Sequence, residues 1–259
     1  MNATVIKIGG ALLADPDALG AIWDGVRHLL REGPVVIVHG GGPQATALAR
    51  RLGHEPRMLA GRRVTTELDR DIVLWTIRGE LNATLVANAQ AAGVPAVGVS
   101  GTDGGLVHVE RQPPHEVDGE TVDFGWVGQI VDVNPKVLTA LLDAGFVPVV
   151  APPSADADGH LYNVNADKVA RAIARRLQAR VLVFATEAGG VFRTLGDPAS
   201  RIDMLDAAGF ESGVREGWIA DGMRLKLEMA LEAASSGVPV RICAPADLAD
   251  ASAGTTIVT

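Results

Sequence analysis

Short, uninterrupted apolar runs alternate along the chain with longer stretches in which apolar positions recur every three to four residues. Runs of the first kind suit strands buried on both faces, and stretches of the second kind suit amphipathic helices. Together they predict an α/β fold with a mainly parallel sheet. The first predicted strand is Thr4–Ile8. A helix follows over 16–32, capped by Asp15, with Pro16 at the favoured first position. Strand 35–38 runs into His39-Gly40-Gly41-Gly42, and helix 43–52 is closed by Gly53. Residues 57–64 read as a loop, 67–92 as helix with a weak point near Gly79, and 96–99 as a strand. The segment 101–133, with Pro113-Pro114 and several glycines, reads as hairpins at a sheet edge. The alternation then resumes: helix 135–144, strand 147–151, helix 165–177, and strand 180–185 with the turn Gly189-Gly190. Two short helices within 203–215, helix 223–235 stopped by Gly237, and strands 240–242 and 256–258 complete the chain. There is no long linker and no repeat of 20–50 residues. The expected organisation is a single domain over 1–259 on one continuous sheet, with one lobe to about residue 175 and a second over 176–259.

Composition narrows this picture. Apolar residues make up 47% of the 259 positions but aromatics only 4%, so the core must be aliphatic. No apolar run approaches the roughly 20 residues of a membrane span, and the N-terminus shows no secretion pattern. The single Cys243 excludes an internal disulfide and a multi-cysteine metal site. A cytoplasmic protein is expected. The net charge of −8 argues against nonspecific nucleic-acid binding, though not against a local basic pocket.

Lysine is scarce: among 23 basic residues only Lys7, Lys136, Lys168 and Lys226 are lysines. Lys7 interrupts the first strand just before Gly9-Gly10. A cation there is costly unless something pairs with it, and a stray residue at a strand end is the alternative. Glycine turns follow the first two strands, at Gly9-Gly10 and at Gly40-Gly41-Gly42. Such turns let backbone N–H groups approach a phosphate beyond the sheet's carboxyl edge, or they simply turn the chain. No G-x-x-x-x-G-K-[ST] and no G-x-G-x-x-G occurs, which excludes a P-loop and weakens a dinucleotide reading. His39 opens an HGGG sequence found in some esterases. The required G-x-S-x-G is missing, because Gly98-Val99-Ser100-Gly101-Thr102 lacks its last glycine.

Asn165 reads as the cap of its helix, with Asp167 in the first turn. Capping explains both, unless Asp167 also orients lysines. Lys226 stands in the early turns of a helix beginning near Asp221-Gly222-Met223, where a cation is unfavourable unless a phosphate sits there. Arg62-Arg63-Val64-Thr65 offers a bidentate fork for a carboxylate, or a solvated basic loop. No His/Cys/Asp/Glu cluster has metal-ligand spacing, so a metal would have to arrive with a nucleotide.

Six segments in order carry a resemblance: 7–13, 38–43, 61–65, 101–104, 163–167, and Asp221-Gly222-Met223 with Lys226. In these the chain resembles the amino acid kinase superfamily, specifically the N-acetylglutamate kinases, over nearly its whole length. The resemblance implies a three-layer αβα sandwich and ATP-dependent phosphorylation of a γ-carboxylate in arginine biosynthesis, with Mg²⁺ held through the nucleotide phosphates. It implies that Lys7 and Lys226 flank the transferring phosphoryl group and that Asp167 holds both. Gly9, Gly10, Gly41 and Gly42 would offer backbone N–H groups, Arg63 would bind the α-carboxylate, and Asn163 would contact the acylated amino acid. ATP would lie near Thr186, Gly189 and Gly222. Ala83, after Asn82, and Glu187, after Thr186, depart from the family's usual Asn-Lys and Ser/Thr-Asp. Kinases of related acyl-glutamates or carrier-linked glutamate or aminoadipate share these features, and a non-catalytic nucleotide-binding regulator is the reading from another class. Arginine-inhibited members carry an extra N-terminal helix. Strand residues here begin by Thr4, so the resemblance implies the shorter homodimer, insensitive to arginine.

Overall fold

The computed structural model describes residues 2–259 apart from Asp118, Leu195 and the side chains of Asp221, Gly222 and Leu225. The chain begins β1 (Thr4–Ile8), α1 (Pro16–Leu29), β2 (Val35–His39), α2 (Gly42–Arg51) and a hairpin of β3 (Met58–Leu59) and β4 (Arg62–Arg63). It continues through α3 (Glu67–Val73), a π-helical stretch (Leu74–Leu81), α4 (Asn82–Ala91) and β5 (Ala96–Ser100). Strands β6 (Val107–Arg111), β7 (His115–Val117), β8 (Glu120–Val122) and β9 (Gly128–Val133) lead to α5 (Lys136–Asp143) and β10 (Val147–Ala151). After β11 (Ser154–Ala155), β12 (Leu161–Tyr162) and α6 (Ala166–Leu177) come β13 (Val181–Ala185), β14 (Val191–Phe192), β15 (Arg201–Ile202) and β16 (Met204–Leu205). Helices α7 (Ala207–Glu216) and α8 (Asp221–Ser235) precede β17 (Val240–Cys243) and β18 (Thr255–Ile257).

Eight strands form the main sheet in the order β16-β18-β17-β13-β1-β2-β10-β5, parallel except where β17 meets β18. The period-2 alternation of each buried strand splits the core into two layers. Val5, Val36, Val38, Leu182 and Phe184 pack toward α5, α6 and α8, whereas Ile6, Ile8, Ile37 and Val183 pack toward α1 and α4. Helices therefore cover both faces, which makes the three-layer αβα sandwich. Lys7 shares the alternation phase of Val5 and so belongs to the α6 face. Strand β1 lies between β2 and β13, where the sheet changes its direction of growth. Ligands of open parallel sheets bind beyond the strand ends at such a point.

Five local differences from the sequence expectation stand out, the first four with physical reasons. Residues 101–133 do not extend the edge of the main sheet. Strands β6 and β9 join β11 and β12 in a separate four-stranded sheet, while β7 and β8 pair only with each other. The expected loop at 57–64 contains the β3–β4 hairpin, whose turn places Ala60 at φ 46° and Gly61 at φ 72°. The expected weak point at Gly79 lies inside the π-helical stretch Leu74–Leu81, a rare geometry that interrupts the regular α-helical ladder there. Between 203 and 215 there is one helix, not two. The apolar pair Met204-Leu205 pairs with β18 instead of turning. Helix α1 also ends at Leu29, three residues short of expectation.

Candidate active site

Strand β1 delivers Lys7 to the carboxyl edge of the sheet on its α6 face, and the start of α6 delivers Asp167 to the same place. Asn165 caps α6 by accepting from the Asp167 and Lys168 amides at 2.8 and 3.1 Å, which holds the Asp167 side chain beside the helix start. Lys7 Nζ lies 2.8 Å from Asp167 Oδ1, and the two side chains are only 10% and 16% exposed. By distance this is a close ion pair, although its alignment falls outside hydrogen-bond geometry. Lys226, half-buried on α8, completes the group. Burial holds its pKa below the usual lysine range and the charge of Lys7 pushes the same way, while Asp167 and Glu187 partly offset both. Two lysines around one carboxylate form a positive focus suited to a transferred anionic group.

The two glycine turns pack against each other below this focus. A Cβ on Gly10 would lie 2.8 Å from Pro43 Cδ, and one on Gly41 would lie 2.6 Å from Leu81 Cδ1, so neither position tolerates a side chain. Around Gly42 the same test meets nothing within 4 Å, leaving its backbone open to a ligand. Gln44 Nε2 donates to the Gly10 carbonyl at 2.7 Å and ties the turns together.

His39 is fully buried at the end of β2. Its Nδ1 donates to the Gly40 carbonyl at 2.8 Å, and its Nε2 accepts from Asn82 Nδ2 at 3.0 Å. Burial, reinforced by Arg78, lowers its pKa to about 4 despite that backbone bond. His39 is thus a neutral structural residue with both nitrogens engaged. It is poorly suited to act as a general base near neutrality; the esterase reading fails on the missing G-x-S-x-G motif.

Arg63 is held from several sides. Its Nη2 donates to Thr46 Oγ1 at 2.6 Å and its Nη1 to Asp69 Oδ1 at 3.4 Å. Asp69 is 1% exposed and also accepts from Thr66 and from His54 Nε2. Burial pushes the Asp69 carboxyl up, but the hydrogen bonds from Thr66 and His54 outweigh it and leave the pKa lowered. Asp69 is therefore a charged counter-ion that fixes the Arg63 fork, and fewer than all of the fork's five donors are spent on protein.

Lys7, Gly10, Gly41, Gly42, Arg63, Asn163 and Asp167 line one cavity of about 670 Å³, an ordinary size for a small-molecule site. Asn163 donates from Nδ2 to Thr65 Oγ1 at 3.2 Å. Gly9 adjoins this cavity in the first turn. Thr186 and Gly189 stand apart, after β13, where Gly189 at φ 72° donates its N–H back to Thr186 Oγ1 at 3.2 Å. Gly222 lies outside the described residues. The segment 101–104 is a structural turn: Asp103 Oδ2 accepts from the Ser100 hydroxyl and from Arg78.

Several residues escaped the sequence reading. Asp69 was legible as the third position of a Thr66 capping box, a pattern the structure contains. Thr46, Gln44 and His54 carry no comparable signal. Asp156, Asp158 and His160 also come together, with ligand atoms within 4.8 Å, contrary to the expectation that no metal-spaced cluster exists. They sit on an exposed turn whose Asp156 already accepts from the Asp158 and His160 amides and from Tyr162.

The sequence profile of the amino acid kinase family matches residues 2–244. This chain belongs to that family. It is 41% identical over 233 residues to the acetylglutamate kinase of Methanopyrus kandleri, covering 90% of this chain and 91% of that one. It is 40% identical over 271 residues to the acetylglutamate kinase of Anaeromyxobacter sp. strain K, covering 100% and 99%. Among solved structures, smu.665 from Streptococcus mutans UA159 superposes with a TM-score of 0.79 at 24% identity, over 99% of this chain and 98% of that one. At that identity the match speaks to the fold alone.

Proposed function

We propose that the protein transfers the γ-phosphoryl group of ATP to the γ-carboxylate of N-acetyl-L-glutamate, forming the acyl phosphate and ADP, as a step of arginine biosynthesis. The observation that carries this reading is the Lys7–Asp167 pair in one cavity with the glycine turns and Arg63; Lys226 does not line that cavity, but it is close enough for the charges of Lys7 and Asp167 to act on it. The names of the two relatives supply the acceptor.

The chemistry asks little of the protein beyond position and charge. A γ-carboxylate is already ionised at neutral pH, so no general base is required. Its oxygen attacks the γ-phosphorus as the bond to the ADP oxygen breaks, and the negative charge shifts toward ADP. Lys7 and Lys226 stabilise the equatorial oxygens, and Asp167 keeps the two ammonium groups from separating. The open backbone at Gly42, with Gly41, Gly10 and Gly9, supplies N–H donors, while Arg63 takes the α-carboxylate through its unspent donors and Asn163 meets the acylamide. Asp167 is the only carboxylate lining the cavity among the described residues, and it is engaged with Lys7. That donor set fits Mg²⁺ bound through the nucleotide phosphates and not in a protein cage. So bound, Mg²⁺ neutralises phosphate charge. In this reading residues up to about 175 form the substrate lobe. The nucleotide lies over the half of the sheet built by β13, β17, β18 and β16, near Thr186, Gly189 and Gly222.

Hydroxylamine trapping with MgATP tests the proposal across N-acetylglutamate, N-succinylglutamate, free glutamate and aspartate. Hydroxamate should form best with N-acetylglutamate and far less with free glutamate, whose charged ammonium group would stand where Asn163 meets a neutral acylamide. A preference for aspartate overturns it. The reading also carries a cytoplasmic homodimer. Support for the dimer comes from Trp75 and Leu68, which stand 55% and 44% exposed on the helical segment running from α3 to α4. Among the described residues no helix is long and apolar enough to cross a membrane. Light scattering should give a mass near twice 26.9 kDa, and a monomer or a hexamer refutes the dimer.

A further inference from the structure

The buried stripe of α6 is flanked by cations at 168, 171, 175 and 176, spaced so that they share one side of the helix. They line a groove of about 660 Å³ between α6, β9 and the C-terminal end of α8. Two carboxylates, Asp132 and Glu232, line the same groove and leave the four cations in excess. Arg171 pairs with Glu232, and Arg176 Nε donates to the Val133 carbonyl at 3.1 Å. Among the described residues no carboxylate lies within 4.0 Å of the Lys168 or Arg175 charge.

A solvated basic face is the plain alternative, and cations in a last turn suit the helix dipole. That accounts for Arg175 and Arg176. It does not account for Lys168, which stands in the first turn, where the dipole opposes it. Lys168 is half-buried, and its ammonium is disfavoured first by burial and then by Arg62 and Arg171. Arg171 is disfavoured in the same way, by burial and by Arg175. The fold holds like charges together, partly out of water, in a chain whose net charge is −8.

We propose that this groove binds an elongated small polyanion, with phosphate or carboxylate groups spread over about 10 Å. That length is the two helical turns from Lys168 to Arg175. Arginine forks donate two parallel N–H bonds to either group. Lys168 and Gln112 line both this groove and the larger cavity, so the ligand lies beside the acceptor site without filling it. The site is independent of the reaction proposed above.

Calorimetric titration without Mg²⁺ tests it, with tripolyphosphate and citrate as probes. The starting protein is Lys226→Met, which removes a cation of the phosphoryl site. It is compared with the same protein also carrying Arg175→Gln, and with one carrying Lys168→Met and Arg175→Gln together. At least one probe should bind the starting protein. The groove substitutions should weaken that binding by at least about tenfold, the loss of one or more charge-assisted contacts, and added salt should weaken it further. The tighter probe identifies the source of the anion. Arg175 is exposed, so its single substitution leaves a folded protein to measure even where the double variant fails. If neither probe binds, or if binding ignores the groove substitutions, the proposal is wrong.

Discussion

Replacing Asp167 with asparagine keeps the shape of the side chain and removes its charge. The Lys7–Asp167 attraction at 2.8 Å amounts to roughly 6 kcal/mol gross at an effective dielectric of 20. Most of that repays the desolvation of two ions that are 10% and 16% exposed. The substitution leaves the desolvation of Lys7 in place and takes away its repayment, with Lys226 now repelling it unopposed. Breaking a buried pair in this way costs about 3–5 kcal/mol, and the solvent that reaches this one argues for the lower end. In turnover, two lysines that no longer hold their positions should cost about 10²–10³-fold, comparable to losing one preorganised transition-state donor. There is also a signed pH effect. Asp167 raises the pKa of Lys226, so removing it lowers that pKa further, and the alkaline limb of the rate profile moves to lower pH. The assay is hydroxamate formation from N-acetylglutamate across pH, with folding checked by circular dichroism. Turnover within about threefold of the parent, on a superimposable pH profile, would refute the role given to Asp167.

Lys7→Arg and Lys226→Arg should each lower turnover about 10²–10³-fold, because the arginine fork does not fit a site shaped for a point charge. Lys136→Arg, exposed at the start of α5, should be silent, and equal effects at all three positions would sink the argument from lysine scarcity. His39 stays neutral in the fold down to about pH 4 while an unfolded histidine takes up its proton near 6.5. Its contribution is therefore complete above 6.5 and is lost as pH falls toward 4. Between about pH 7.5 and about pH 4.5 the parent should lose up to about 2.5 kcal/mol more unfolding free energy than His39→Gln, and parallel urea curves would contradict this. Ala60 holds φ 46° without being glycine, so Ala60→Gly should stabilise the protein by about 1 kcal/mol. An unchanged or lower melting temperature would show that the turn is not strained.

The central architecture was legible because it rests on burial. Strands β1, β2 and β10 are buried along their whole length, and such strands read as unbroken apolar runs. Helix α6, with an apolar stripe and an asparagine cap, declared itself the same way. The second sheet was not legible, since β6 and β9 are half-exposed and β11, the other partner of β6, lies more than 40 residues after it, beyond any local pattern. Met204-Leu205 failed for a related reason. Two residues have no period, and only the distant β18 makes them a strand.

The site divides along the same line. Residues that break a local rule were visible: a lysine inside a buried strand, a cation early in a helix, glycines where a side chain cannot fit. Residues that obey the local rules while serving the site were hidden. Thr46 is an unremarked position on α2 until Arg63 reaches it across 17 residues, and Gln44 looks like helix surface until it closes on Gly10 across 34. Asp69 shows how one residue can be both. Its bond to the Thr66 backbone completes a capping box that the sequence could declare, and its other oxygen carries Arg63 and His54. A local role that fully accounts for a residue type therefore does not use up the side chain. A carboxylate has a second oxygen, and in a buried site that oxygen also needs a partner. Lys168 poses the complementary case: the cap beside it explains its backbone, and nothing within the described protein pairs with its charge.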